Sequence, residues 1–429
     1  MADQRAGDPE AIDLVGIGFG PANLALAIAV EEYNERLRGT VRRPLTCRFF
    51  ERRGTFEWHP GMLLPGATMQ ISYLKDLATQ RNTASSYTYL SYLADRGRLS
   101  DFINLQTFFP LRAEFHDYLS WAAARVDVPV DYGCEISGAD WADGAFTVRT
   151  ADGRQVRAAN LALGGGLRTK LPAGVSTGPR VFHNHEVIDA LARLGAPRHG
   201  RYVVVGAGQS AAEVAAHLHS VTDADVHAVF SKFGYTPADD SPFANRVFDA
   251  EAVDEFYGAP PQWRDRMMNY HRSTNYSAVD PELITELYRR EYAETVAGRR
   301  RFHVHRASEV TDVREDADGA HVRIVGGMTG EQDDLTCDAV IFATGFEPAS
   351  VNELLGPLAR RCAEDVHGRP VLDRQYRLST DPEVTGQIFV QGNSEHSHGL
   401  TSTLLSNMAV RSGEIVDALA AHRSLLPTG

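Results

Sequence analysis

Apolar positions in this chain gather into short continuous runs that stop at glycines, and two of these stops open directly onto a helical pattern. The first is Ile12-Asp13-Leu14-Val15-Gly16-Ile17-Gly18-Phe19-Gly20-Pro21-Ala22-Asn23-Leu24. The second is Arg201-Tyr202-Val203-Val204-Val205-Gly206-Ala207-Gly208-Gln209-Ser210-Ala211-Ala212-Glu213. A short apolar run bounded by glycine reads as a buried strand, and the Ala/Leu-rich stretch behind it as a helix. Further strands are predicted at Cys47–Glu51, Leu161–Gly166, Val226–Phe230, Val304–Val313, His321–Val325, Asp338–Phe346 and Ile388–Gln391. Glu135–Gln155 reads as two more, around the turn Ala142-Asp143-Gly144. Helices are expected near Tyr87–Arg96, Leu111–Val126 and Leu404–His422. Between Gly234 and Arg300 the strand rhythm gives way to helical, aromatic sequence, which suggests an insertion. Strands alternating with helices predict an α/β chain with parallel sheets.

The glycines at the two strand-to-helix turns carry a chemical reading. Gly16 permits a tight turn, and Gly18 removes the side chain that would hold a pyrophosphate off the backbone. The helix behind them then turns unpaired N–H groups and its positive dipole end toward the anion. Pro21, after Gly20, replaces the third small residue of the dinucleotide fingerprint, and proline suits a first helical position. Glu51 closes the next strand as a ribose-binding acid; its spacing exceeds the usual ~20 residues, and the polar segment 31–44 absorbs the excess. This half is expected to hold the ADP part of FAD. The second turn, Gly206, Gly208, Gln209 and Ser210, is a full G-x-G-x-x-A in the right context. Its following strand ends in Ser231-Lys232 rather than an acid, which suits a 2′-phosphate and hence NADPH. The strand Asp338–Phe346 meets a glycine after Thr344, at Gly345, where backbone can approach a cofactor.

Together these units predict two Rossmann-like dinucleotide-binding domains, each split in sequence. Residues 8–175 and 344–425 form the FAD domain, 176–234 and 301–343 the NADPH domain, and 235–300 a small inserted helical substrate-binding region.

Bulk properties narrow the class without changing this picture. The chain of 429 residues suffices for two or three cores. A formal charge of −13 argues against nucleic acid, and no apolar run approaches the ~18 residues of a membrane span. The first ten residues are polar and read as a tail without a signal peptide's apolar stretch. Cys47, Cys134, Cys337 and Cys362 lie far apart, with neither redox nor metal-ligand spacing. A reduced cytoplasm is the natural setting. Three His-x-His pairs, His183/His185, His303/His305 and His396/His398, would each share a strand face. No further Cys, His or Asp completes a tetrahedral set near them in sequence, so no metal is expected.

The loops between these elements narrow the function. Met69-Gln70-Ile71-Ser72-Tyr73-Leu74-Lys75-Asp76-Leu77, Phe108-Phe109-Pro110-Leu111-Arg112-Ala113-Glu114-Phe115-His116-Asp117-Tyr118, Ser241-Pro242-Phe243-Ala244-Asn245, Thr274-Asn275-Tyr276-Ser277 and His398-Gly399-Leu400-Thr401-Ser402-Thr403-Leu404-Leu405-Ser406 occur in this order. Together they resemble the N-hydroxylating flavin monooxygenases that act on ornithine or lysine in siderophore and related pathways, over nearly the whole chain. The resemblance implies bound FAD, NADPH as reductant, and O₂ converted to a flavin C4a-hydroperoxide whose distal oxygen passes to a terminal amine. It implies that Met69 and Gln70 lie over the isoalloxazine, with the Gln70 amide beside the peroxide. It makes Lys75 the cation for the substrate carboxylate. Asn245 and Asn275 bind the substrate's polar end and the nicotinamide ribose side, and Leu405-Ser406 closes the pocket beside the amine. Gln70, Asn275 and Ser406 are thus the catalytic candidates. Trp58, His59, Thr344, Gly345, His398, Gly399 and Leu405 join the cofactor-binding set. A homo-oligomer, dimer or tetramer, is also implied.

Rival readings are weaker. A disulfide reductase needs a C-x-x-C, absent here. A Baeyer–Villiger-type oxygenase needs a glycine and a histidine at offsets that Phe182-His183-Asn184-His185-Glu186-Val187-Ile188 does not supply. A non-catalytic flavin-binding module would not oxidise NADPH in air. Among substrates, L-ornithine is expected first, with L-lysine or a diamine such as putrescine or cadaverine as the alternative.

Overall fold

The computed structural model describes residues 11–425, apart from the side chains of 272–275, 403 and 425. Two five-stranded sheets, each wholly parallel, organise it. In the first the spatial order is Ile388–Val390, Leu161–Leu163, Leu14–Ile17, Cys47–Glu51 and Val130–Tyr132. In the second it is Phe302–His305, Asp225–Val229, Arg201–Val205, Ala339–Phe342 and Val181–His183. Strands buried on both faces must be apolar throughout, and Leu14–Ile17 and Ala339–Phe342 are buried at every position. Each glycine-ended strand sits at the centre of its sheet or beside it. The C-terminal edges of such sheets, where helices begin, are where ligands bind in open α/β folds.

Helix Pro21–Leu37 leaves the first glycine turn and packs Leu24–Val30 into the largest core, together with the C-terminal helix Met408–Leu425. It runs to Leu37, so the polar segment 31–44 that absorbs the long spacing to Glu51 is helix in its first half and turn and coil after it. Helix Gln209–Val221 leaves the second turn and packs into a separate core with Leu287 and Phe302. Helix Pro281–Ala297, the last in the region read as an insertion, contributes Leu283, Ile284 and Leu287 to that same core.

Several local expectations change. The strand read across Val304–Val313 is two, Phe302–His305 and Ser308–Glu315, because Ala307 adopts a left-handed φ of 48° between them. Ser308–Glu315, Ala320–Gly326 and Gln332–Cys337 form an antiparallel sheet; the last of these is so polar that alternation does not mark it as a strand. Ile136–Ala142, Ala145–Thr150 and Gln155–Ala158 form another, three strands where two are predicted. Helix Leu99–Leu105 is additional. Residues 404–407 form a bend and a 3₁₀ turn before the final helix begins at Met408. Among the described residues, no helix is long and apolar enough to cross a membrane.

Candidate active site

The first glycine turn is shaped by close backbone approach. Gly16 lies inside the strand Leu14–Ile17, not at the turn that the fingerprint reading assigns to it. A Cβ there would stand 2.1 Å from the Phe49 ring of the neighbouring strand, so packing demands the glycine. Gly18 has φ +82°, and a Cβ on it would lie 2.4 Å from the Gly164 carbonyl oxygen. Gly20 has open space around its Cα, and Pro21 begins the helix with no side chain capping its first N–H groups. Asn23, fully buried and unmarked by the fingerprint, ties the strand ends together. Its amide donates to the Gly18 carbonyl at 2.6 Å and accepts from Gln391 at 2.6 Å.

A cavity of about 310 Å³ opens over this turn, lined by Gly18, Gly20, Pro21, Glu51, Trp58, His59, Gly164–Gly166, His185, Phe346, Gln391, Ser402, Leu405 and Arg411 among others. Its volume is in the ligand-pocket range. Glu51 accepts the Phe19 N–H at 2.7 Å and the Arg53 N–H at 3.0 Å, which pins the carboxylate at the rim. Buried polar atoms around the cavity, Gln391 Oε1, Ser402 Oγ and Arg411 Nε, have no partner within the protein. Unmet buried groups cost ~1–3 kcal/mol each, so the wall is built for a polar ligand. A polar ligand of dinucleotide type would give them partners. His59, held at φ 47°, and His185 stand 5.6 Å apart by ring centroid against Phe346. Burial pushes the His59 pKa down to about 4, so it faces the cavity neutral.

Loop 62–77 is ordered by the segment 108–112. Met69 N–H donates to the Pro110 carbonyl, Tyr73 N–H to that of Phe108, and Arg112 N–H to that of Ala67. Arg112 then reaches under the loop to Glu213 on the second nucleotide helix, in two parallel contacts of 2.7 and 2.8 Å. Glu213 also accepts from Gln209, which donates to Asp280 at 3.2 Å and accepts the Asp280 N–H at 2.9 Å. Burial raises the Asp280 pKa, while a hydrogen bond from the exposed Gln70 amide opposes the rise. Arg112, Glu213 and Asp280 escape the sequence reading because each is an ordinary charge until the fold joins them.

The second glycine turn repeats the logic. Gly206 has φ +141°, and a Cβ there would lie 2.3 Å from the Ala343 carbonyl oxygen. Gly208 precedes helix Gln209–Val221 with no side-chain cap, under the backbone of Ser277. Lys232, at the end of the next strand, donates to Thr236 Oγ1 at 2.8 Å and the Ser277 carbonyl at 2.6 Å. Ser231 beside it is exposed.

Comparison with known proteins follows this geometry. Residues 10–348 match the family model for L-lysine 6-monooxygenase/L-ornithine 5-monooxygenase. The chain belongs to this family. The L-ornithine N(5)-monooxygenase of Pseudomonas aeruginosa is 36% identical over 427 residues, covering 96% of this chain and 94% of its own. The ornithine N-hydroxylase KtzI of Kutzneria sp. 744, solved with reduced FAD, NADP⁺ and L-ornithine, superposes with a TM-score of 0.91. It is 43% identical and covers 96% of this chain and 100% of its own. An L-lysine 6-monooxygenase from Pseudomonas syringae gives a TM-score of 0.83 at 32% identity, covering 96% and 99%.

Within this lysine/ornithine monooxygenase chain the remaining predicted residues fall into place unevenly. Met69 is buried and Gln70 exposed at the loop surface. Lys75 is half-buried, with Nζ 5.7 Å from the Phe248 ring centroid. Burial lowers its pKa, partly offset by Asp249. This brings the Lys75 loop to the 3₁₀ segment Ala244–Phe248, which carries Asn245. The Asn245 amide donates to the Asp240 carbonyl at 2.7 Å. Ser406 is buried and Leu405 lines the cavity. The Asn275 side chain lies outside the described residues. His398 does not line the cavity: it stacks on Tyr376 at 4.1 Å, with Ser397 Oγ and the Arg374 carbonyl on its two nitrogens. Gly399 packs against the ring of Phe256. Thr344 hydrogen-bonds the Lys170 carbonyl, and the Gly345 carbonyl pairs with His183 at 2.9 Å.

Proposed function

We propose that this protein N-hydroxylates the terminal amine of L-ornithine with FAD, NADPH and O₂, supplying a hydroxylamine for siderophore-type biosynthesis. The observation that carries the substrate class is Lys75. Its half-buried ammonium has neither an ion pair nor a hydrogen bond among the described residues, so it is prepared for an anion. A carboxylate would satisfy it, and a diamine's second ammonium would be repelled. The choice of ornithine over lysine is supported by the greater similarity to the Kutzneria ornithine enzyme than to the P. syringae lysine enzyme.

In this reading Lys75 holds the carboxylate, Asn245 and Asn275 hold the polar end of the substrate and the nicotinamide ribose, and Leu405 with Ser406 confines the amine. Bound FAD, reduced by NADPH, supplies the oxygen activation. The loop around Met69 and Gln70 excludes water from it. The amine must be neutral to accept oxygen, and with a pKa near ~10.4 only about one molecule in 2,500 is neutral at pH 7. The proposal places FAD on 8–175 with 344–425, NADPH on 176–234 with 301–343, and substrate on 235–300. It includes a homo-oligomer and a cytoplasmic setting, the latter supported by four free cysteines.

The test is product mass spectrometry on ornithine, lysine, putrescine and cadaverine, each with NADPH in air. A gain of one oxygen on ornithine, at the highest kcat/KM, is expected. A diamine turned over far faster than ornithine would remove Lys75 from carboxylate binding.

A further inference from the structure

The second sheet carries a histidine cluster that neither nucleotide cradle uses. Strands Asp225–Val229 and Phe302–His305 run parallel, with His227 opposite His303 and Val229 opposite His305. Side chains alternate across a strand, so Asp225, His227, His303 and His305 all point to one face. That face also carries Val229, which packs against Ala320, Val322 and Ile324 of an antiparallel sheet. Asp225, His227 and His303 each present one ligand atom, and the three atoms lie within 4.8 Å of one another. The His227 and His303 rings stack at 4.5 Å.

His227 is the decisive residue. It is only 7% exposed, and its Nε2 has no hydrogen-bond partner. Its Nδ1 lies 2.9 Å from His305 Nε2, and His305 Nδ1 in turn lies 3.7 Å from an Asp333 carboxylate oxygen. One tautomer pair suits this chain of contacts. His305 turns its Nδ1–H to Asp333 and accepts at Nε2 from the Nδ1–H of His227. That leaves His227 Nε2 as a buried bare lone pair on the face shared with Asp225 and His303. A ligating imidazole oriented by a second group through its other N–H is the usual outer-shell arrangement of protein metal sites.

We propose that Asp225, His227 and His303 form a site for a divalent transition ion, with zinc as its natural occupant, and that His305 and Asp333 orient His227 for it. Two imidazoles and a carboxylate are a borderline-soft set that suits zinc, with a fourth position left for water. Closing the three donors onto ~2.0–2.1 Å bonds requires the stacked His227 and His303 rings to tilt until their lone pairs converge. Arg201, register partner of Asp225, stands on the same face with its guanidinium on the Thr336 carbonyl at 3.1 Å. The site would clamp the edge strand Phe302–His305 to the sheet. Sequence spacing hides it, because some 75 residues separate the two strands' contributions.

The test uses untagged, flavin-loaded protein, stripped with EDTA, exposed to zinc sulfate, desalted and analysed for metal by mass spectrometry. About one zinc per chain is expected for the wild type and for His321→Ala, a control whose histidine pairs with Asp316 outside the cluster. His227→Ala should lose it. Since His227 is buried, His303→Gln, at a half-buried position, is the second variant, and retained flavin absorbance shows that each has folded. Zinc-free wild type, or equal zinc in wild type and both variants, would overturn the site.

Discussion

Lys75 and Lys232 show how differently two predicted cations are prepared. Lys75 makes no ion pair among the described residues, with Asp249 acting on it only from a distance, so its removal should fall mainly on substrate binding. Lys75→Ala is expected to raise the ornithine KM about 10-fold or more, from loss of ~1.5–3 kcal/mol of charge-assisted binding. Steady-state kinetics with flavin reduction measured separately checks this, since reduction should be spared. Lys232 is tethered to Thr236 and Ser277. If Lys232 holds a 2′-phosphate as proposed, the phosphate must displace these neutral acceptors, which its charge favours. Lys232→Ala should weaken NADPH by ~1–2 kcal/mol and NADH far less; equal losses would place the 2′-phosphate elsewhere. Gln70, bonded to Asp280, is expected to act in oxygen use. In Gln70→Ala, peroxide formed per NADPH should rise about twofold or more as the site admits water, which a peroxide assay against NADPH consumption reads directly.

At the scale of elements, the contact that matters is Arg112 with Glu213. It joins the segment that holds the covering loop to the helix of the second nucleotide turn, with side chains only 13% and 8% exposed. Arg112 also reaches the Met62 and Thr68 carbonyls at 3.3 Å, so one guanidinium fixes the loop at two points and ties it to the helix through Glu213. Removing one buried partner strands the other charge. Glu213→Gln should therefore cost ~3–5 kcal/mol, and Arg112→Met with Glu213→Leu should recover much of it. Urea denaturation of the two variants distinguishes this from a surface pair, whose loss costs ~1 kcal/mol or less. None of this was legible from the residues, because Arg112 and Glu213 are 101 positions apart. The strands and glycine turns were legible, because burial on both faces and the approach of one backbone to another leave a local mark. The strand Gln332–Cys337 left none, since its polar residues face solvent.

Across the whole molecule, buried histidines give the fold a common pH response. Burial pushes His59, His183 and His398 down to about 4 and His227 to about 3. Unfolding exposes them, and their affinity for protons returns to that of a free imidazole near ~6.5. The unfolded chain then binds more protons between these values, so stability rises with pH through this window. Their contribution is full above pH ~6.5 and is lost as pH falls toward about 4. Melting temperature should decline steadily on acidification over this range, and His398→Gln should flatten the decline. A pH-independent melting temperature from ~6.5 down to ~4.5 would refute the account. What the sequence determined alone was everything that is local: two glycine turns with their strands and helices, and the order of loops that marks the family. What the tertiary structure decided was every partnership across the chain. It placed His398 on Tyr376 instead of the cavity wall, Gly16 against Phe49 instead of at the turn, Arg112 on Glu213, and His227 beside His303. Periodicity and turn chemistry act over a few residues, and so can be read along a sequence. Which charge or lone pair meets which is settled only when parallel strands far apart in the chain lie ~4.8 Å from one another.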